Sequence, residues 1–209
     1  MRGFGPGPVG ALLGCGLLAA CSVASEGGGT VTPPPPPIAE FQALEDEQLA
    51  IQESLQGEDF TDPSTLPVTG EASYEGVAAF QILTDDPIEF RGDLTMAVDF
   101  GAASDPISGT ITDIASTTQT YSGDLAISNS TIDRTAVPDN PDEAEFTYGA
   151  DLGGTIVGDV DGDFWDLDGD LNGDFLGEGA EFAVAPMGGE ACQGFDCVGF
   201  VGGLDAVRQ

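Results

Sequence analysis

The chain has 209 residues, enough for one domain of ordinary size with additional segments. Its 37 acidic residues stand against four arginines, with no lysine and no histidine, so the formal net charge is −33. So few cations exclude nucleic-acid binding and disfavour adsorption to anionic lipid. Without histidine, Ser-His-Asp catalysis and His-ligated zinc are excluded. We interpret the charge as surface hydration, with a specific cationic ligand as the alternative.

Residues 1–20 are typical of an export signal. Arg2 supplies a positive start, and residues 9–20 form an apolar stretch too short to span a bilayer as a helix. The stretch ends in Leu18-Ala-Ala-Cys21, which resembles the bacterial lipobox. This resemblance implies cleavage before Cys21 and acylation of its thiol and its new amino group. Several acyl chains would anchor the protein stably.

The residue after the acylated cysteine bears on the destination of the protein. An aspartate there would indicate retention at the inner membrane, whereas this chain has Ser22. We therefore expect a lipid-anchored protein of the outer membrane, exposed at the cell surface. The alternatives are a lipobox ending at Cys15, whose apolar stretch would be very short, and an ordinary signal peptide.

Residues 21–37 contain three successive glycines and five successive prolines. This composition predicts a tether that is flexible at the glycines and extended at the prolines. Residues 38–55 then predict a short amphipathic helix, and a linker continues to residue 65. The apolar positions of that helix are Phe41, Leu44, Ile51 and Leu55.

From residue 66 to residue 209 the hydrophobic period changes to two, which indicates strands with one buried and one wet face. We predict eight strands, joined mostly by short turns rich in Asp, Gly and Pro. They cover residues 73–82, 93–100, 105–114, 121–128, 131–137, 145–156, 165–175 and 198–207. Short connections favour antiparallel neighbours, and eight strands suffice to close a small barrel with a filled interior.

The predicted fold is therefore all-β, a single eight-stranded antiparallel β-barrel preceded by a lipidated tether and a short helix. A β-sandwich is the structural alternative. We reject a barrel that spans the membrane, because the aspartates crowded on the polar faces would all have to point into a narrow lumen.

Two cysteines remain after export and acylation, Cys192 and Cys197. An oxidising compartment favours a disulfide between them, which would staple a turn before the last strand. Zinc binding is disfavoured, because two thiols without histidine are too few ligands.

The barrel region carries a family resemblance. Leu66-Pro-Val-Thr-Gly-Glu-Ala-Ser-Tyr-Glu-Gly76 resembles the opening segment of lipoprotein barrels of the transferrin-binding protein B type. Asn172-Gly-Asp-Phe-Leu-Gly-Glu-Gly-Ala180, followed by Met187-Gly-Gly-Glu190, is similar to a later segment of that family, and Phe200-Val-Gly-Gly203 to its closing strand. The resemblance implies a surface-exposed barrel for capture of a solute, a host protein or an iron source.

This chain departs from the larger members, because it has one barrel, no second lobe and no receptor-contact motif. We therefore carry over fold and surface exposure and leave transferrin aside. Haem is not expected, because histidine is absent and the few tyrosines lie on predicted strands.

The densest carboxylate run begins at Asp159, and oxygen ligands of this kind suit Ca²⁺. Residues 168–174 copy the first half of an EF-hand loop, but its twelfth position is Gly179 instead of glutamate. Strand alternation would also spread Asp166, Asp168 and Asp170 at intervals of about 6.6 Å. We favour a hydrated strand face, with calcium at the turn as the minority interpretation. The calcium ligands would be Asp159, Asp161 and Asp163.

We predict a surface-anchored, non-catalytic binding lipoprotein that is monomeric, has no cofactor, and reaches the membrane through its N-terminal lipid anchor. Its unknown protein or small-molecule ligand would meet the loops at residues 83–91, 137–144 and 177–197, because barrels display function at their ends. The alternative is a structural or adhesive envelope lipoprotein without a defined ligand. A hydrolase with paired carboxylates is a third interpretation.

Overall fold

The protein was analysed as a computed structural model, which describes residues 38–137 and 145–209. The predicted signal peptide, Cys21, the predicted tether and most of the predicted loop 137–144 lie outside the described residues. The described part contains helix α1 (Ala39–Ser54), a 3₁₀ turn (Pro63–Thr65) and nine strands. The strands are β1 (Glu71–Ile82), β2 (Ile88–Asp99), β3 (Ile107–Ser116), β4 (Thr120–Ser122), β5 (Leu125–Ile132), β6 (Tyr148–Gly158), β7 (Phe164–Leu176), β8 (Phe182–Gln193) and β9 (Asp196–Arg208).

The sheet closes on itself. Each strand pairs antiparallel with its neighbours, and β9 returns to pair with β1 from Ile82 opposite Phe200 to Tyr74 opposite Arg208. Strands β4 and β5 share one place in the barrel, because both pair with β3 on one side and β6 on the other. This confirms the predicted eight-stranded antiparallel barrel, with β4 as one extra short strand.

The break between β4 and β5 lies at Gly123, whose φ is +105°. A Cβ atom there would lie 2.2 Å from the carbonyl oxygen of Thr155, so the neighbouring backbone leaves no room for a side chain. Only glycine combines this backbone conformation with so close an approach.

The lumen is filled by side chains that alternate inward along the strands, as the two-residue period predicts. Two aromatic clusters lie inside it. Phe175 packs against Tyr74, Phe100 and Tyr148, with ring centroids 4.9–5.9 Å apart. The second cluster lies nearer the opposite end of the barrel and consists of Phe80, Phe90, Tyr121 and Phe200.

Strand β8 was missed by the sequence analysis, which assigned residues 177–197 to a contact loop. Its small residues, its glycine pair and Pro186 hide the alternation that identifies β1 and β7. The predicted loop 83–91 is also shorter, since β2 begins at Ile88 and leaves residues 83–87 as the turn.

The predicted strand at 131–137 is wrong, because β5 ends at Ile132. Asp133 accepts hydrogen bonds from the backbone N–H and the hydroxyl of Thr135, which stabilise a turn instead. Arg134 then donates to the backbone carbonyl oxygens of Leu66, Pro67 and Phe100, and these bonds tie the turn to the barrel end.

Helix α1 is confirmed within one residue at each end. Among the described residues, no helix is both long and apolar enough to cross a bilayer.

Candidate functional site

The strand pairings define two ends of the barrel. Turns 83–87, 117–119, 159–163 and 194–195 share one end, which we call the hairpin end. The other end, called the far end, carries turns 100–106 and 177–181 and the segment that leads into β1.

Helix α1 lies on the outer wall. Val77 and Ala115 point outward from β1 and β3, yet both are fully buried. Phe41 and Leu44 of the helix cover them and form a small hydrophobic cluster separate from the lumen. This docking explains why Phe41, Leu44 and Ile51 are the buried positions of an otherwise polar helix.

One flank of α1 is held by polar contacts. The guanidinium of Arg91 lies 4.4 Å from the centre of the Phe41 ring and pairs with Glu45 at 3.2 Å. Gln48 and Gln52 donate to the carboxylate of Asp205 at 3.1 and 2.9 Å. These contacts leave the opposite flank of the helix free of ion pairs with the barrel among the described residues.

That opposite flank borders a cleft of about 600 Å³ between α1 and the barrel, near the hairpin end. None of the ten lining residues is basic. Its apolar lining residues are Ala43, Leu44 and Ile114, of which only Ala43 is exposed, and Thr120 and Tyr121 lie beside them. The carboxylates that line it are Glu40, Glu47, Asp93, Asp113 and Asp159.

Two of the cleft carboxylates, Glu47 and Asp93, have raised pKa values. Partial burial raises the pKa of Glu47, and the charges of Asp93 and Glu75 raise it further. The pKa of Asp93 is also raised, first by burial and then by the charge of Asp113. Each shift means that the ionised form is disfavoured where it stands. A cation placed in the cleft would relieve this cost.

The three predicted calcium ligands occupy the turn between β6 and β7. Asp159 accepts hydrogen bonds from the hydroxyls of Thr120 and Ser122, and these bonds lower its pKa. Asp161 accepts instead from the amide of Gln119 at 2.7 Å and from the backbone N–H of Asp163 at 3.0 Å.

Across residues 38–137 and 145–209, no three acidic or thiol side chains stand together as a metal site. The structure therefore does not gather Asp159, Asp161 and Asp163 into one coordination shell, and calcium binding stays a prediction from the sequence.

Strand β7 carries the predicted hydrated ladder. Asp166, Asp168 and Asp170 are exposed on the outer wall, alternating with inward residues. Asp174 departs from the expected pattern, since it is buried and accepts hydrogen bonds from the N–H and hydroxyl of Thr147 at 2.9 and 2.8 Å. It stabilises the start of β6 and does not belong to the wet face.

The predicted disulfide between Cys192 and Cys197 is confirmed. The two cysteines face each other across the β8–β9 hairpin, whose turn consists of Gly194 and Phe195. Gly194 has φ +68°, as the first position of a type II′ turn requires. The side chain of Phe195 is fully exposed at the tip.

The glycine-based motifs that resemble the transferrin-binding protein B type lie where strands touch. A Cβ atom on Gly76 would lie 2.1 Å from the carbonyl oxygen of Asp205, and one on Gly202 would lie 2.3 Å from that of Ala79. These positions specify strand packing, not a ligand. No protein-family model matches the chain, and no curated protein matches it.

The cleft was not predicted from the sequence. Its carboxylates come from α1, β2, β3 and the turn before β7. In the sequence, each of them taken alone looks like an ordinary solvent-exposed acidic residue. The sequence feature that could have indicated the cleft is the pair Asp93 and Asp113, which lie on neighbouring strands, together with a helix that has no lysine.

Proposed function

We propose that this chain is a non-catalytic binding lipoprotein, anchored through Cys21 at the outer membrane, that holds a cationic ligand in the cleft beside α1. The observation that carries the proposal is the cleft itself, whose lining residues include five carboxylates and no basic side chain. Clefts that combine apolar walls with a few convergent polar groups are the usual form of ligand sites.

The spacing of the charges limits the ligand. The cleft carboxylates do not gather into a metal site among the described residues, so a single metal ion would not satisfy them together. An organic cation that carries two or more ammonium groups on an apolar chain could pair with several of these carboxylates at once and contact Ala43 with its chain. We therefore assign the ligand to the class of linear di- and polyamines.

A non-catalytic role is supported by the residue types of the chain and by the buried positions of its tyrosine hydroxyls. It has no histidine and no lysine. The hydroxyls of Tyr74 and Tyr148 donate to backbone carbonyl oxygens of Ala180 and Val184 inside the barrel. Burial raises the pKa of Tyr74 to about 12, so this phenol is a poor proton donor or acceptor near neutrality.

Calorimetric titration with spermidine and with a short diamine tests the proposal on the mature chain. We expect one saturable site, which a combined Glu47→Gln and Asp93→Asn variant weakens about tenfold or more. The matched control is Asp166→Asn with Asp168→Asn, which removes the same charge from the β7 ladder and leaves affinity within about twofold.

Equal losses in both variants would show diffuse counterion attraction and not a site. The chain would then fit the alternative of a hydrated envelope lipoprotein without a defined ligand.

A further inference from the structure

Both ends of the barrel carry exposed apolar side chains, and the two most exposed, Phe195 and Val160, lie at the hairpin end. At the far end, Val68 is 74% exposed and Val137 is 52% exposed. Phe195 is fully exposed, Val160 is 82% exposed, and Val157 and Phe164 are each about 40% exposed. A hydrated acidic surface does not require an exposed phenylalanine, yet Phe195 lies at the tip of a hairpin that the disulfide constrains. Exposed apolar groups that share one surface mark contact with a partner or a membrane.

These side chains are neighbours through the strand register. Val157 and Phe164 are directly paired across β6 and β7. The pairing of Asp166 with Cys192 brings the turn before β7 beside the β8–β9 turn that carries Phe195. We call Val157, Val160, Phe164 and Phe195 the apolar rim.

The chain enters the fold beside the apolar rim. The N–H of Ile38, the first described residue, donates to the carbonyl oxygen of Thr117 at 3.2 Å. In the same turn as Thr117, Gln119 accepts a hydrogen bond through its side-chain oxygen from the N–H of Val160 at 3.0 Å. The segment that leads back to Cys21 therefore joins the barrel at the end that carries the rim.

We propose that the hairpin end lies against the membrane that holds the Cys21 anchor, with Phe195 and Val160 inserted among the lipid headgroups. This inference rests on the anchoring part of the proposed function. Sixteen residues separate Cys21 from Ile38, a reach of at most about 60 Å when fully extended. The rim thus stays within range of the bilayer whenever the anchor is inserted.

Because the lipid anchor already holds the protein at the bilayer, even a weak contact of the apolar rim with the lipid would suffice to orient the barrel. A free protein would not be held by two apolar tips, but a tether converts docking into an intramolecular step with an effective concentration of order millimolar. Burying the exposed ring of Phe195 in the headgroup region adds a favourable hydrophobic contribution, and partial insertion adds a smaller one.

Charge selects the kind of membrane surface. Carboxylates surround the rim at the hairpin end, and no arginine lies in its turns. The carboxylates at this end are Asp85, Asp86, Asp159, Asp161, Asp163 and Asp196. Anionic headgroups would repel them, so docking requires a zwitterionic surface. Docking by the hairpin end would leave turns 100–106 and 177–181 of the far end facing away from the membrane.

Depth-dependent fluorescence quenching tests this orientation. A chain that begins at Cys21 has one thiol outside the disulfide, and coupling it to a maleimide lipid reproduces the tether without bacterial processing. In a Trp165→Phe background, tryptophan is placed by Phe195→Trp, by Val160→Trp, or at the far end by Val68→Trp. Val68 is 74% exposed, so it is a matched control.

In phosphatidylcholine vesicles with brominated acyl chains, we expect quenching at positions 195 and 160 at least twofold stronger than at position 68. Adding about a third phosphatidylglycerol should remove most of that difference at low salt. Equal quenching at the three positions, or stronger quenching at 68, would overturn the proposal. Mass spectrometry of the N-terminal peptide from the native host tests acylation separately, so the two failures are distinguishable.

Discussion

The lumen and the outer wall of this barrel are built by the same strands and differ in almost every physical respect. Inside, phenylalanines, tyrosines and branched aliphatic residues pack into one buried core. Outside, carboxylates alternate along β7, and the only helix of the described residues lies on a small apolar patch. The lumen therefore supplies stability, while the cleft and the apolar rim of our two proposals lie on the wall and at one end.

The largest expected effect comes from opening the lumen. Phe175→Ala removes a fully buried ring that packs on three other aromatic rings. We expect it to lower the free energy of unfolding by about 3–5 kcal/mol, measured by urea denaturation. Val201→Ala on the outer wall, where the side chain is half exposed, should change the stability by less than about 0.5 kcal/mol. Similar losses at the two sites would contradict the division between lumen and wall.

The disulfide is the next strongest element. Replacing Cys192 and Cys197 together by serine reopens a short loop, and the loop-closure relation gives a loss of about 2 kcal/mol. Thermal unfolding of the variant measures this loss. Because the register of β8 and β9 continues far beyond the turn, we expect the barrel to fold and only the hairpin tip to exchange amide hydrogens faster.

Helix docking on the wall should depend on Arg91. Arg91→Ala removes the contact with the Phe41 ring and the ion pair with Glu45, and we expect a loss of about 1 kcal/mol. Hydrogen exchange of residues 39–54 should accelerate while the barrel strands keep their protection. Glu45→Gln removes only the ion pair, so a loss as large as that of Arg91→Ala would assign the effect to the charges alone.

The smallest effect is a pH dependence from the cleft. The folded-state pKa values of Glu47 and Asp93 are raised, so their ionised forms weaken the folded state. The contribution is absent in acid, where both groups are protonated, and grows as the pH rises through their ordinary pKa values to the raised ones. Helix docking should therefore loosen slightly from acid towards neutrality, seen as lower protection factors for the amides of residues 39–54 after the intrinsic rise of amide exchange with pH is divided out.

Glu47→Gln with Asp93→Asn should remove this pH dependence, and Asp168→Asn should not. Persistence of the slope in the double cleft variant would place its origin elsewhere in the molecule.

Where the sequence analysis succeeded, the local pattern was itself the cause of the structure. Along β1 and β7, apolar and polar residues alternate because one face is buried, so the period could be read directly. The spacing of Cys192 and Cys197 fits a two-residue turn for the same local reason. Strand β8 was missed because alanine, glycine and proline satisfy close strand packing without producing a hydrophobic period.

The predicted count of eight strands matched the barrel only because the wrong strand at 131–137 offset the missed β8. The sequence by itself determined the all-β class, the disulfide and the acidic character of the wall. All of these follow from neighbours along the chain or from composition. Only the tertiary structure decided that α1 lies over Val77, that Glu47 and Asp93 share a cleft, and that Ile38 enters beside Thr117. These are contacts between segments far apart in sequence, and barrel closure, which no local pattern encodes, brings them together.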